Sequence, residues 1–230
     1  MFQPSGGLVY HLRAWAHQTR LWAPCHRQVR AWLADWLPDA DHLVLVGPSG
    51  GYALDRAFLE RFDRVSVLEP DALARLVFKR RFPHKGLEFR PDTALSSPGG
   101  FAWLARTFPD AAFLFCNLLG QTLVGQGASF DRNAWLAELV PALAGRAWAS
   151  WHDVASTRRP PDSTDVFVQA RANLDRVLAH YWHGGELLIQ DHDCAALAPD
   201  LPRQYTHWSL RPGHYHLVEW VQGPGGTVGR

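Results

Sequence analysis

The chain has 230 residues, 47% of hydrophobic type and 20% charged, the make-up of a folded globular protein with room for a sizeable core. Lys and Arg number 23 against 22 Asp and Glu, a net charge of +1, so no long-range field draws it to a nucleic acid or an acidic membrane. Three widely separated cysteines, Cys25, Cys116 and Cys194, argue against a disulfide scaffold or a thiolate zinc site, and the lack of a leader-like or long apolar segment points to a cytoplasmic protein.

From Leu8 to about Leu37 the apolar residues Leu12, Trp15, Leu21, Trp22, Val29, Trp32, Leu33 and Trp36 recur at helical spacing, broken at Ala23-Pro24, where proline favours a helix start. Two amphipathic helices therefore precede the first strand, and their tryptophans read as packing residues. His42 to Gly51 is an apolar strand that ends in Gly47-Pro48-Ser49-Gly50-Gly51, and Tyr52 to Leu59 has helical spacing, so strand, glycine turn and helix are expected in direct succession. Such a turn lets the backbone approach a ligand closely. Arg64 to Leu68 is a second apolar strand with Glu69 at its end, where an acid can accept hydrogen bonds from ribose hydroxyls.

Asp71 to Phe82 reads as a helix whose basic tail, Lys79-Arg80-Arg81, complements the helix dipole. Gly86 to Arg90 is a third strand with Asp92 in the loop after it, Phe101 to Thr107 a helix, and Ala111 to Cys116 a fourth strand that exits into Asn117. Asp131 to Leu143 is a further helix, and Ala147 to Trp151 a fifth strand ending in His152-Asp153. Val166 to Trp182 reads as a helix, and Gly184 to Gln190 as a short strand running into Asp191-His192-Asp193-Cys194. Gln204 to Leu210 and His214 to Val221 flank Arg211-Pro212-Gly213 as a hairpin, and Gly223 to Arg230 is expected to be a loose tail.

Alternating strands and helices predict a single α/β domain over residues 1–230: cap helices in 1–40, then a doubly wound, mostly parallel core over 42–221 with an antiparallel hairpin at its end. Ligands of such sheets lie beyond the carboxyl ends of the strands. Gly47 to Gly51, Glu69, Asp92, Asn117, His152 and Asp153 are all expected there.

On these residues the chain resembles the class I, Rossmann-like S-adenosylmethionine-dependent methyltransferases over roughly residues 42 to 221. The likeness rests on Val44 to Gly51, Val67-Leu68-Glu69-Pro70-Asp71, Asp92, Phe115-Cys116-Asn117 and the closing hairpin. It implies a seven-stranded sheet, S-adenosylmethionine as cofactor and a small-molecule acceptor. It would give Gly47, Ser49 and Gly51 the methionine part of the cofactor, Glu69 the ribose and Asp92 the adenine, with Asn117 beside them. Leu45 stands where the family usually carries an acid, and Ser49 replaces the middle glycine. No Asn-Pro-Pro-Tyr or Asp-Pro-Pro-Tyr run follows the fourth strand, which weakens a reading as an amino-methylase of bases.

Methyl transfer needs alignment of donor and acceptor, and a base only where the acceptor loses a proton. His152 and Asp153 are the candidate catalytic pair, Asp191-His192-Asp193 a second candidate, and either could instead be a hydrogen-bonded loop anchor. His214 and His216 share a strand face and, with Cys194, His207 and the acidic clusters, raise a metal alternative. No tight ligand spacing recurs, so no metal is expected. Gly47 to Gly51 also fits G-x-S-x-G with Ser49 as a hydrolase nucleophile, but no His-Gly-Gly segment lies upstream to form an oxyanion hole. Gly47, Ser49 and Tyr52 make a poor G-x-G-x-x-G, against a nicotinamide enzyme. The non-enzymatic alternative is a binding or scaffold protein that keeps the fold and has lost the chemistry, with Leu45 as its trace.

Overall fold

The computed structural model describes residues 7–91, 99–119, 131–192, 194 and 196–223. Asp92, Asp193 and the tail beyond Gly223 lie outside the described residues. Helices α1 (Gly7–His17) and α2 (Ala23–Asp35) lead into β1 (His42–Val46), α3 (Arg56–Leu59), β2 (Arg64–Leu68), α4 (Ala72–Arg81) and β3 (Leu87–Arg90). Then come α5 (Gly100–Thr107), β4 (Ala111–Cys116), α6 (Arg132–Ala137), α7 (Leu139–Ala142) and β5 (Trp148–Thr157). The chain continues with β6 (Phe167–Gln169), α8 (Leu174–Tyr181), β7 (Ile189–Asp191), β8 (Arg203–Arg211) and β9 (His214–Gln222).

Every residue of β1 and β4 is buried, as unbroken apolar runs require of strands covered on both faces, whereas β3 at the sheet edge alternates between half-buried and exposed. The strand order is β3-β2-β1-β4-β5-β9-β8-β6, with β1 to β5 parallel and β9 antiparallel to both β5 and β8. Seven of these strands give the expected doubly wound, Rossmann-like sheet with its terminal hairpin. The three-residue strands β6 and β7 enlarge it to nine.

Alternation along β1 divides the core. Leu43 and Leu45 face Trp22, Val29 and Leu33 of the cap, while Val44 and Val46 face Phe101, Leu104 and Leu136 on the other side. Burying each large side chain of this kind contributes about 2–3 kcal/mol before entropy is counted. Asp55, Asp71, Asp131 and Asn173 cap α3, α4, α6 and α8, each accepting a backbone N–H with its side chain.

Four local expectations are corrected. The glycine turn does not run straight into a helix: α3 begins only at Arg56, because the Asp55 side chain accepts the Phe58 N–H and sets the helix start there. The helix expected over Asp131 to Leu143 is divided into α6 and α7 at Glu138, with Pro141, which has no N–H, in the second piece. The segment read as a helix from Val166 starts with β6, paired to β8, and turns helical only after the Asn173 cap. Most consequential, β5 does not stop at Trp151 but continues to Thr157 because β9 pairs along its whole length, with a bulge between Asp153 and Ala155.

Candidate functional site

The carboxyl end of β1 passes into a turn in which Gly47, Ser49 and Gly51 all have left-handed backbones, φ 64°, 51° and 67°. The Gly47 N–H donates to the Leu68 carbonyl at 2.9 Å, tying the turn to the end of β2. There Glu69, only 7% exposed, accepts the Ser49 N–H on Oε2 at 2.9 Å and the Asp71 N–H on Oε1 at 3.0 Å. Burial raises its pKa, the two amides and the Arg75 charge pull it back, and the net direction is upward. A buried carboxylate left in that balance gains from further donors, such as the hydroxyls of a ribose.

The glycines have local uses too. A Cβ on Gly47 would stand 2.8 Å from Leu118 Cδ1, and one on Gly51 would stand 2.6 Å from Phe82 and 2.9 Å from Phe78. Leu45 is fully buried in the core beneath the cap helices, so no carboxylate occupies the position where an acid is usual. The turn and Glu69 thus lie together at the carboxyl ends of β1 and β2, while Leu45 adds no charge there. Among the described residues no histidine bonds the Ser49 hydroxyl, so the hydrolase triad is not assembled there.

His152 and Asp153 are not a dyad. Successive strand residues point to opposite faces, and β5 runs through both. His152, fully buried, turns towards Ser150 Oγ at 3.0 Å from its Nδ1 and Glu219 Oε1 at 3.5 Å from its Nε2. Arg203, 2% exposed, donates to the same Glu219 oxygen at 2.7 Å and to the carbonyls of Leu197 and Ala198. Burial raises the Glu219 pKa, but His152 and Arg203 outweigh it and hold the group below the usual carboxylate range. This is an interior charge network joining β5, β8 and β9.

Asp153 faces the cap side and meets partners distant in sequence. Its Oδ2 lies 2.8 Å from His216 Nδ1 and 3.4 Å from His192 Nδ1. The lane along this edge of β5 explains the meeting. β4 occupies it up to Cys116, opposite Trp151, and β7 takes it from Thr157 back to Ala155. Asn117, at φ 50°, fills part of the gap, donating its N–H to the Trp151 carbonyl at 2.7 Å and accepting the Asp153 N–H on Oδ1 at 3.0 Å. His192 fills the rest, donating its backbone N–H to the Val154 carbonyl at 3.0 Å. Burial favours the neutral acid, but His192 and His216 override it and hold Asp153 far below the ordinary range. The His192 imidazole, disfavoured by burial, is raised in turn by the Asp153 carboxylate.

An aromatic row under α1 and α2 connects this group to the glycine turn. Ring centroids are 5.9 Å apart for Tyr52 and Tyr10, 5.3 Å for Tyr10 and Trp22, 5.1 Å for Trp22 and Trp208, and 5.8 Å for Trp208 and His216. Burial raises the Tyr10 pKa, and Tyr52, Asp153 and Glu69 push it the same way. Sequence reasoning singles out Glu69, Asn117 and Asp153 and counts the His192 cluster and His216 in the metal alternative, but it does not pick Tyr10 or pair those two histidines with Asp153 in particular. The shared face of His214 and His216 was the available signal, yet only His216 reaches the group; His214 bonds Arg211 instead. All three cysteines are buried, and burial pushes Cys25 and Cys116 well above the ordinary thiol range.

No family model and no curated protein matches this chain. Among solved structures it is similar to the N-methyltransferase NodS from Bradyrhizobium japonicum in complex with S-adenosylhomocysteine, with 12% identity over 88% of this chain and 87% of that one and a TM-score of 0.47. It is also similar to a SAM-dependent methyltransferase of Anabaena variabilis, 15% identical over 93% of this chain and 90% of that one, TM-score 0.46. A third is the N-terminal domain of EvdMO1 with S-adenosylhomocysteine bound, 14% identical over 87% and 81%, TM-score 0.46. No described helix is long and apolar enough to cross a membrane.

Proposed function

We propose that the protein transfers a methyl group from S-adenosylmethionine to a small-molecule acceptor. The observation that carries this reading is Glu69: a buried carboxylate at the end of β2, anchored by two backbone amides, with an upward-shifted pKa that additional hydroxyl donors would relieve. S-adenosylmethionine, when bound, supplies a methyl group already activated by the sulfonium, so the protein's share is alignment and exclusion of water. In this reading the turn from Gly47 to Gly51 carries the cofactor backbone-first and Glu69 holds its ribose. Asn117 joins the two ends of the site through Asp153. Of the two residues expected to be catalytic, Asp153 keeps a place on the acceptor side with His216 and His192, and His152 belongs to the interior network.

The test is calorimetric titration of the protein, freed of any copurified nucleotide, with S-adenosylmethionine and S-adenosylhomocysteine, and NADH as control. Micromolar binding of the two sulfur nucleotides alone is expected, with a loss of about 100-fold or more in Glu69→Gln, which keeps the size and the fold, since a charge-assisted pair of hydrogen bonds is worth about 3 kcal/mol or more. Equal binding by wild type and Glu69→Gln rejects the assignment. Leu45 in the apolar core and the packing of Leu118 on Gly47 favour a second reading, a binding or scaffold protein without catalysis. Failure of every nucleotide to bind would select it.

A further inference from the structure

We infer that Asp153, His192 and His216 form a binding site for one divalent first-row transition metal ion, such as Zn(II), Fe(II) or Co(II). These three offer one carboxylate oxygen and two imidazole nitrogens, all within 4.8 Å of one another. Two imidazoles and a carboxylate on one side of an ion, with further positions left for solvent or substrate oxygens, is a donor set suited to such ions and not to Mg(II) or Ca(II).

The distances agree with ligation. Metal bonds of about 2.0–2.1 Å place neighbouring ligand atoms about 2.9 Å apart at a right angle and about 3.4 Å apart at a tetrahedral angle. His216 Nδ1 and His192 Nδ1 stand 2.8 and 3.4 Å from Asp153 Oδ2. Both pairs with Asp153 already stand at ligation distance, and the two histidine nitrogens lie within 4.8 Å of each other.

The surroundings hold the ligands as metal sites require. A ligating imidazole is normally fixed by a hydrogen bond from its other nitrogen. His192 has that bond, its Nε2 lying 3.3 Å from Ser156 Oγ, and its backbone N–H is fixed to Val154. Asp153 is fixed through Asn117, and the ring of His216 packs on Trp208 and faces that of His192. Asp153 and His192 are buried and His216 is 13% exposed at its side chain, which gives the ion an approach from the His216 side. In the metal-free chain His216 Nδ1 is hydrogen-bonded to Asp153 Oδ2 at 2.8 Å and His192 Nδ1 to the Asp153 main-chain carbonyl at 3.1 Å; on binding, each Nδ1 gives up that bond and any proton it carries, which passes to solvent, and takes the metal instead. The site needs no sulfur nucleotide and stands whether or not methyl transfer is the protein's activity.

The experiment is a Co(II) titration of the whole chain after chelator treatment and dialysis, followed by visible absorption, with no nucleotide present. One equivalent is expected to give ligand-field bands that Zn(II) displaces. His216→Gln should weaken binding by about 100-fold or more, and Ser156→Ala, which keeps all three ligands, by about 10-fold. His183→Ala, an exposed histidine elsewhere, should leave the titration unchanged. Ser156→Ala carries the test alone should His216→Gln not fold. The inference is overturned if no bands appear, or if they survive unaltered in His216→Gln or, where that variant does not fold, in Ser156→Ala. The group would then be a hydrogen-bonded His–Asp–His cluster. Nucleotide binding is measured separately, so failure of either proposal leaves the other standing.

Discussion

In the parallel half of the sheet β1, β2 and β4 stop where the candidate cofactor loops begin, and Glu69 lies just past a strand end, fixed by the backbone amides of Ser49 in the turn it faces and of Asp71 in its own loop. In the antiparallel half β5 continues to Thr157, and the polar groups lie within strands and are fixed by side chains, His152 and Glu219 by each other and by Arg203, Asp153 by His216 and His192. A group held by backbone survives changes in neighbouring side chains as long as the turn keeps its shape. A group held by side chains fails when one partner is removed.

The contrast should be sharpest at Arg203. Arg203→Ala leaves Glu219 buried beside His152 without its strongest partner, and about 3–5 kcal/mol of stability should be lost. Urea unfolding measures it, and a loss under about 1 kcal/mol would show that water or rearrangement replaces the side chain, removing the distinction. In the parallel half the sensitive element is backbone shape. Gly51→Ala forces a left-handed alanine against Phe82 and Phe78 and should cost about 2–4 kcal/mol by the same measurement.

A graded effect, spread over several pH units, adds a third comparison. His26, on α2 against Trp208, is lowered to about 3 by burial and by the Arg30 and Arg81 charges, so it stays neutral in the fold. The unfolded chain takes up that proton below about pH 6.5, so stability falls between there and about pH 3 by up to about 1.4 kcal/mol per pH unit. His192 is raised, so its contribution is complete below about pH 6.5 and is lost as pH rises through its folded value. Asp153 is lowered, and its contribution drains away only as pH falls below about 4. In His26→Gln the loss between pH 6 and 4 should flatten while the alkaline loss remains. Denaturation midpoints across about pH 4–9 read both, and an unchanged acid limb would mean that His26 is not the group responsible.

The parallel half was the more legible in sequence. Leu43 to Val46 and Ala111 to Cys116 are apolar without interruption, as a strand covered on both faces requires, and Glu69 directly follows the largely apolar run Val65 to Leu68. β5 was cut short because Trp151-His152-Asp153-Val154 looks like a polar exit, although in an antiparallel setting polar residues can alternate across both faces of a continuing strand. The metal-competent group was hidden for a related reason. Asp153, His192 and His216 are brought together by strand register and by the lane that β4 leaves to β7, neither of which local spacing encodes. Asp92 and Asp193 lie outside the described residues.

The cap at the beginning of the chain is fastened to its last hairpin: the Trp22 indole donates to the Leu210 carbonyl at 2.9 Å, and the Thr206 hydroxyl bonds Gln28. These bonds span 188 and 178 positions. During translation α1 and α2 emerge before β8, so Trp22 meets Trp208 and the Leu210 carbonyl only after that strand has left the ribosome. The aromatic row from Tyr52 to His216 closes only once β9 has followed.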